Sequence, residues 1–195
     1  MADKKDEKPC LLIALPAELR NTIYSLVLVE QAPIAIKRNI EPGLLATNHQ
    51  IRAEAMAVFY SMNTFQSRSD YLLLSVANAA SWIRKLGKLR TQMLTSLQCG
   101  GGATPGMIAR SIEVGFAQDV YIEGIPVKRV TGLRKDALEF ERSQGETNEY
   151  VWVKLTAIEE IEVVQVRGGW KVKPKQRWHH QDKMASRQIK TGYPY

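Results

Sequence analysis

The sequence predicts an α+β protein, with helices in the first half, a small antiparallel sheet in the second half and a basic disordered tail. Three observations lead to this class. Apolar residues recur at helical spacing between residues 15 and 90, and β-branched residues alternate between residues 110 and 175. Residues 176–195 lack apolar periodicity. A chain of 195 residues with 45% hydrophobic and 24% charged residues has an ordinary globular composition.

The first predicted helix begins near Leu15, in the segment LPAELRNTIYSLVL. Pro16 suits a first turn, where a missing N–H costs no hydrogen bond, and Glu18 favours the positive end of the helix dipole. Four aliphatic residues then recur at helical spacing and form one apolar stripe: Leu19, Ile23, Leu26 and Val27. The stripe is expected either to pack inside the protein or to occupy a groove on a partner protein.

Two further helices are expected in the first half. A Pro-Gly pair marks a turn before the second helix, over residues 44–61. Asp70 is the candidate cap of the third helix, over residues 70–86. An alternating β-branched stretch at residues 32–38 predicts a short strand. Residues 93–98 fit either a strand or a short helix.

Contact between the first and second helices is predicted from their side chains. Each helix carries one apolar stripe, so the two stripes are expected to pack together: Leu19, Ile23 and Leu26 on Ile51, Ala55 and Val58. A buried polar network would also tie these helices to each other. Its candidate members are Arg20, Asn21, Arg52 and Glu54.

The second half is predicted to be rich in β structure. A run of three glycines at residues 100–102 is interpreted as a flexible loop and a boundary. Beyond it we expect a hairpin at 120–130, a short helix near 133–142 and a strand at 150–155. The segment IEVVQVRGGWKVKPK predicts a second hairpin, because paired glycines suit a two-residue turn.

Three segments carry a resemblance to a known family. LPAELRNTIYSLVL resembles the opening of fungal F-box-like proteins, whose signature begins LPxELRNxIY. PGLLATNHQIRAEAMAVFYSMNTF is similar to the second block of that family, and the W-I-x-x-L-G segment at 82–87 is a weaker third match. The resemblance covers residues 11–97, and together with the patterns described above it divides the chain into four parts: an F-box-like helical region (11–97), a glycine-rich loop (98–106), a small α+β region with hairpins (107–175) and a basic tail (176–195).

The resemblance also implies a function. In F-box proteins the leucine-proline start and the following helix bind a Skp-type adaptor, which links a bound substrate to a cullin-based ubiquitin ligase. By position, Leu15 and Pro16 would enter the groove of the adaptor, and the surface would be extended by Glu18, Leu19, Ile23 and Tyr24. Such a helix-in-groove contact obtains most of its affinity from a few apolar anchors.

No catalytic constellation is recognisable in the sequence. The three histidines have no neighbouring nucleophile or carboxylate cluster, and the two cysteines, Cys10 and Cys99, are far apart. The glycine-rich loop lacks the G-K-[ST] of phosphate-binding loops. We therefore expect a non-enzymatic protein with no cofactor and no metal.

The C-terminal segment suggests an alternative function. Residues 167–195 contain eight basic residues and one acidic residue, whereas residues 1–166 contain 19 of each. Basic and aromatic side chains interleave in a way that is typical of nucleic-acid contacts: Trp170, Lys171, Lys173, Lys175, Arg177 and Trp178. The same pattern also fits contact with an acidic partner, a nuclear-import signal or a solvated surface, and these alternatives stay open.

The sequence predicts a cytoplasmic or nuclear location. The charged N-terminus leads into only five apolar residues, fewer than a signal peptide needs. No apolar stretch approaches the roughly 20 residues that span a bilayer. Two cysteines far apart in the sequence fit a reducing compartment.

Overall fold

Helices and parallel strands alternate through the first half of the chain. The computed structural model describes residues 10–36, 40–102, 104–122, 125–130, 132–143, 150–167 and 169–175. The helices there are α1 (Leu11–Ala14), α2 (Ala17–Leu28), α3 (His49–Met62), α4 (Leu72–Leu86), α5 (Lys88–Met93) and α6 (Pro105–Gly115). Short 3-10 helices cover Gly43–Ala46 and Leu155–Ala157.

Nine strands form two sheets in the described part of the chain. They are β1 (Ile34–Ala35), β2 (Thr64–Ser67), β3 (Ser96–Cys99), β4 (Ala117–Ile122), β5 (Ile125–Val130), β6 (Leu138–Ser143), β7 (Tyr150–Lys154), β8 (Ile161–Val166) and β9 (Gly169–Pro174). The larger sheet has the order β1-β2-β3-β6-β7, in which only β7 is antiparallel to its neighbour. The smaller sheet has the order β4-β5-β9-β8 and is antiparallel.

The two faces of the larger sheet differ in polarity. One row of aligned residues is buried and apolar, with Phe65 beside Leu97 and Leu97 beside Leu138. The adjacent row points to the opposite face, because side chains alternate along a strand, and it contains Gln66, Gln98 and Glu139. The side-chain amide of Gln66 donates a hydrogen bond of 3.1 Å to Gln98, whose own amide donates one of 3.0 Å to Glu139. The polar groups of this row thus bond to one another across the strands.

An aromatic cluster forms the centre of the core. Phe59 and Tyr60 from α3, Phe65 from β2 and Trp82 from α4 lie with ring centroids 5.1 to 5.8 Å apart. Edge-to-face and offset contacts of this kind add to the free energy gained by burying the rings. α4 also packs against α6, which in turn contacts β9, so helices connect the two sheets.

The prediction of mixed α and β structure is confirmed, but the separation of helices from strands is wrong. β2 and β3 lie within the region predicted to be helical, 11–97, and pair in parallel. β3 then pairs with β6, from the second half of the chain. One sheet therefore spans the predicted boundary at the glycine-rich loop. The antiparallel component is confirmed in the smaller sheet.

Some of the individual elements were predicted correctly, and others were not. The hairpins β4–β5 and β8–β9 are present, as is the strand β7. The helix predicted near residues 133–142 is wrong, because this segment contains β6. The cap predicted at Asp70 is also wrong, since the residue preceding α4 is Tyr71. The predicted tail, 176–195, lies outside the described residues.

Candidate functional site

The helix α2 is attached to α3 by a face that combines polar and apolar residues. Arg20, Tyr24 and Leu28 follow one another at intervals of four residues and are all buried. The Tyr24 hydroxyl donates a hydrogen bond of 3.0 Å to Glu54 of α3. Asn63, directly after α3, donates a hydrogen bond of 2.7 Å to the carbonyl of Leu28. These contacts fix how far α2 is rotated about its axis.

Arg20 is the centre of this attachment. Its Nε and Nη2 donate to the two carboxylate oxygens of Glu54, at 2.8 and 2.7 Å. Its Nη1 donates to the backbone carbonyls of Ile13 and Leu15. A planar guanidinium suits such a bidentate pairing, and its remaining N–H groups can bond to the backbone carbonyls. One side chain therefore positions the junction of α1 and α2 against α3.

The consequence is that the apolar stripe of α2 faces outwards. Leu19, Leu26 and Val27 are 52%, 80% and 61% exposed, and Ile23 is half-buried. We call these four residues the α2 apolar face. The predicted packing of Leu19, Ile23 and Leu26 on the stripe of α3 is thus wrong, because Arg20, Tyr24 and Leu28 occupy that place. In the described part of the chain, no element covers the exposed members of this face.

The predicted network between the two helices is confirmed in its central pair. Arg20 meets Glu54, as the sequence suggested. Arg52, however, donates to the carbonyl of Leu45, at 2.6 Å, and takes no part in the network. Asn21 is exposed. The other partners of Glu54 are instead Tyr24 and Gln50.

The electrostatics of Glu54 follow from these partners. The hydrogen bond from Arg20, followed by that from Gln50, lowers the pKa of Glu54 to about 2. The hydrogen bond to Glu54 raises the pKa of Arg20. The pKa of Tyr24 is raised, first by burial and then by the hydrogen bond to Glu54. The pair is therefore ionised at neutral pH and Tyr24 is a neutral donor.

Acid is expected to weaken the attachment of α2. A carboxyl group whose folded pKa is about 2, below its ordinary 4.5, stabilises the folded state above pH 4.5. This contribution is lost as the pH falls from 4.5 towards 2. Wild type should therefore be more stable than Glu54→Gln at neutral pH, and the difference should shrink in acid. Urea unfolding at about pH 7 and about pH 3 measures this difference.

Glu18→Gln is the matched control, since Glu18 is an exposed carboxylate on α2, the helix that Glu54 of α3 holds in place. Its stability relative to wild type should change much less with pH than that of Glu54→Gln. A pH-independent difference between wild type and Glu54→Gln would show that the carboxylate is not the stabilising group.

The residues predicted to contact an adaptor fall into three classes of exposure. Pro16, Glu18 and Leu19 are exposed, Leu15 and Ile23 are half-buried, and Tyr24 is fully buried. Tyr24 is therefore a core residue that orients α2, and it does not belong to the accessible surface. Leu26, which the predicted helix packing would bury, is the most exposed member of the face. Helical spacing alone does not show which of two neighbouring faces is covered.

The basic segment begins within β9, so its residues differ in exposure. Trp170 is buried, and its indole Nε1 donates a hydrogen bond of 2.7 Å to the carbonyl of Leu133, so its ring is not available for stacking on a base. Lys171 is half-buried, while Lys173 and Lys175 are exposed. Lys171 and Lys173 alternate with Trp170 and Val172 along β9 and therefore point to its other face, and Lys175 directly follows the strand. The two other predicted contacts, Arg177 and Trp178, lie outside the described residues.

Groups that could carry chemistry are sparse in the described part of the chain. It contains no group of three or more His, Cys, Asp or Glu residues placed to hold a metal ion. Cys99 is fully buried, and burial raises the pKa of its thiol to about 12, so it is not a ready nucleophile. None of the described helices is long and apolar enough to cross a membrane.

Comparison of the chain with protein-family models, with curated proteins and with solved structures finds no match.

Proposed function

We propose that this protein is a non-enzymatic interaction module in which the α2 apolar face binds a Skp-type adaptor. The chain would then act as a substrate adaptor of a Skp–cullin ubiquitin ligase. The observation that carries this proposal is the exposure of Leu19, Leu26 and Val27 on one side of a single helix. Support also comes from the resemblance of residues 15–28 to the start of F-box-like proteins.

The orientation of α2 favours an interface over a purely structural helix. A helix of this kind normally turns its aliphatic stripe towards the core, because burying a Leu or Ile side chain contributes roughly 1.5–3 kcal/mol. Here the covered face is held by hydrogen bonds to Glu54 and Asn63, which fix the helix with its aliphatic residues outside. Contiguous exposed apolar residues on a folded domain mark interaction sites.

The start of the helix extends this surface. Pro16 is exposed at the position before α2, and Leu15 is half-buried next to it. Leu15, Leu19, Ile23 and Leu26 recur at intervals of three or four residues, which is the spacing of anchors in helix-in-groove recognition. Because Arg20 holds the carbonyl of Leu15, the entry to the helix is fixed before a partner arrives. Such preorganisation reduces the conformational entropy lost on binding.

A binding experiment with the full chain tests the proposal. Purified protein should bind a purified Skp adaptor in calorimetry, and Leu19→Asp/Leu26→Asp should bind about 30-fold or more weakly, as for anchors worth about 2 kcal/mol. Both side chains are exposed, so the variant should keep its fold. The matched control is Leu73→Asp/Leu74→Asp, two exposed leucines of α4, which should bind like wild type.

Two outcomes would reject the proposal. Absence of adaptor binding by the wild type would remove the ligase function. Equal loss of affinity in the α4 control would show that the change in charge, and not the α2 apolar face, governs binding.

A further inference from the structure

A second feature of the molecule is a cleft between the larger sheet and α4. Its volume is about 780 Å³. It shares no lining residue with the α2 apolar face, so it is a separate place on the surface. Clefts of roughly 300–1,000 Å³ are of the size that holds a small organic molecule.

The strand at the edge of the sheet beside the cleft, β1, has two residues, whereas its neighbour β2 has four. After two residues in register with β2, the chain makes one more hydrogen bond, from the Ile36 N–H to the Gln66 carbonyl, at 2.9 Å. The strand β2 continues to Ser67, which lines the cleft. The chain contributes again to the lining at Ile40 and Glu41.

The opposite wall is one side of α4. Four of its lining residues are spaced as a single helical face: Asn78, Ser81, Trp82 and Lys85. Trp82 belongs to the aromatic core and is only 8% exposed, so the base of this wall is rigid. Ile36 and Ile40 line the other side. An apolar group in the cleft would thus meet aliphatic and aromatic surface.

The charges around the cleft are unequal. Among the described residues, three cations line it, Arg68, Lys85 and Arg90, against one carboxylate, that of Glu41, so these lining residues carry a formal net charge of +2. The Glu41 carboxylate is already occupied, since it accepts a hydrogen bond of 2.6 Å from the Tyr60 hydroxyl and pairs with Arg90 at 3.0 Å.

Two of the three cations are therefore compensated. Arg90 has Glu41, and Arg68 pairs with Glu141 of β6 at 2.8 Å. The Lys85 side chain makes no hydrogen bond or ion pair with any other residue in the part of the chain that the structure describes. An ammonium group at the edge of a partly apolar cleft is a natural partner for a ligand anion.

We propose that this cleft binds a small organic anion. The anionic group, a carboxylate or a group of similar charge, lies at Lys85, and the apolar body lies against Ile36 and Ile40. The inference does not depend on the adaptor proposal, because the two surfaces have different residues and different chemistry.

Calorimetric titration of the full chain with naphthalene-2-carboxylate tests this inference. The neutral naphthalene-2-methanol, which has a similar ring system but no charge, should bind more weakly. Lys85 is exposed, so Lys85→Gln should raise the Kd of the carboxylate about two- to fivefold, as expected for one exposed charge pair. Lys88→Gln is the matched control, because Lys88 is exposed at the start of α5 and does not line the cleft.

The outcomes are distinct from those of the adaptor experiment. Leu19→Asp/Leu26→Asp should bind naphthalene-2-carboxylate like wild type, and Lys85→Gln should bind the adaptor like wild type. The proposal is overturned if wild type shows no binding at millimolar carboxylate, if the carboxylate and the alcohol bind equally, or if Lys85→Gln and Lys88→Gln have the same Kd as wild type.

Discussion

Replacing Phe65 by alanine should lower the free energy of unfolding by about 3–5 kcal/mol, the range for truncating a fully buried phenylalanine. Phe65 has no exposed surface, and its ring lies between 5.1 and 5.8 Å from those of Phe59, Tyr60 and Trp82. The substitution removes the contacts that the Phe65 ring makes with aromatic side chains of both α3 and α4. It also leaves a cavity that rigid neighbouring rings fill poorly.

Chemical denaturation of both proteins measures this difference, with Leu26→Ala as the comparison. Leu26 is 80% exposed, so its truncation should change the stability by less than about 0.5 kcal/mol. A loss of several kcal/mol for Leu26→Ala would mean that α2 is rotated and that its aliphatic stripe is packed in the core. The pair of variants therefore tests the placement of the α2 apolar face independently of any partner.

The sequence is sufficient to place α2, α3 and α4 but not to orient α2. It suggests both an apolar stripe of Leu19, Ile23 and Leu26 and a polar network of Arg20 with Glu54, and helical spacing does not show which of these two faces packs on α3. Arg20 is buried because Glu54, 34 residues away, meets it with both carboxylate oxygens. A buried charge is tolerated only with such a partner. The outward face of α2 therefore depends on a long-range contact that helical spacing does not reveal.

The strand β2 and the parallel pairing of the larger sheet escape prediction for a different reason, although β1 lies within the strand predicted at residues 32–38. β2 and β3 are four residues each, with sequences TFQS and SLQC, too short for alternation to distinguish them from loops. The helix expected at β6 is contradicted by its own pattern, since in LEFERS the buried Leu138 and Phe140 alternate with Glu139. This alternation with a period of two is visible in the sequence. The sequence does not show that Glu139 pairs with Gln98, which lies 41 residues earlier on β3.

The motif residues of the resemblance can be assigned structural roles. Asn63, from the N-x-F element, is buried and donates to the carbonyls of Leu28 and Phe59, at 2.7 and 2.9 Å. Its side-chain oxygen accepts a hydrogen bond of 2.7 Å from the N–H of Glu30. It therefore joins the ends of α2 and α3. A motif can thus mark how two helices are held together.

The glycine-rich segment is docked onto the sheet and is not a free linker. The Gly100 N–H donates a hydrogen bond of 2.9 Å to the carbonyl of Ser67, and the Gly101 N–H donates one of 3.0 Å to the carboxylate of Glu141. Gly101 has a φ of +130°, and a Cβ there would lie 2.7 Å from the backbone nitrogen of Leu72. In the sequence, three consecutive glycines indicate flexibility. In the fold, the positive φ of Gly101 and the close approach of the Leu72 backbone both require glycine at this position.

Gly101→Ala should therefore lower the free energy of unfolding by about 3 kcal/mol or more. The positive φ costs an alanine about 1–3 kcal/mol, and the new methyl group forces apart backbone that has little room to move. The Cβ would also lie 3.0 Å from the Cα of Leu72 and 3.1 Å from the carbonyl oxygen of Ser69. These atoms of Leu72 and Ser69 belong to the backbone at and just before the start of α4, so no side-chain rotation relieves the clash.

Two other glycines separate the causes of this loss. Gly87 has a φ of +79°, but no atom lies within 4 Å of the position that a Cβ would take, so Gly87→Ala should show the conformational cost alone, about 1–3 kcal/mol. Gly43 has open space and an ordinary φ, so Gly43→Ala should be neutral or slightly stabilising. Denaturation of the three variants should rank Gly101→Ala as the most damaging. Equal stability of Gly101→Ala and Gly43→Ala would mean that the segment is a flexible linker and that α4 does not begin against it.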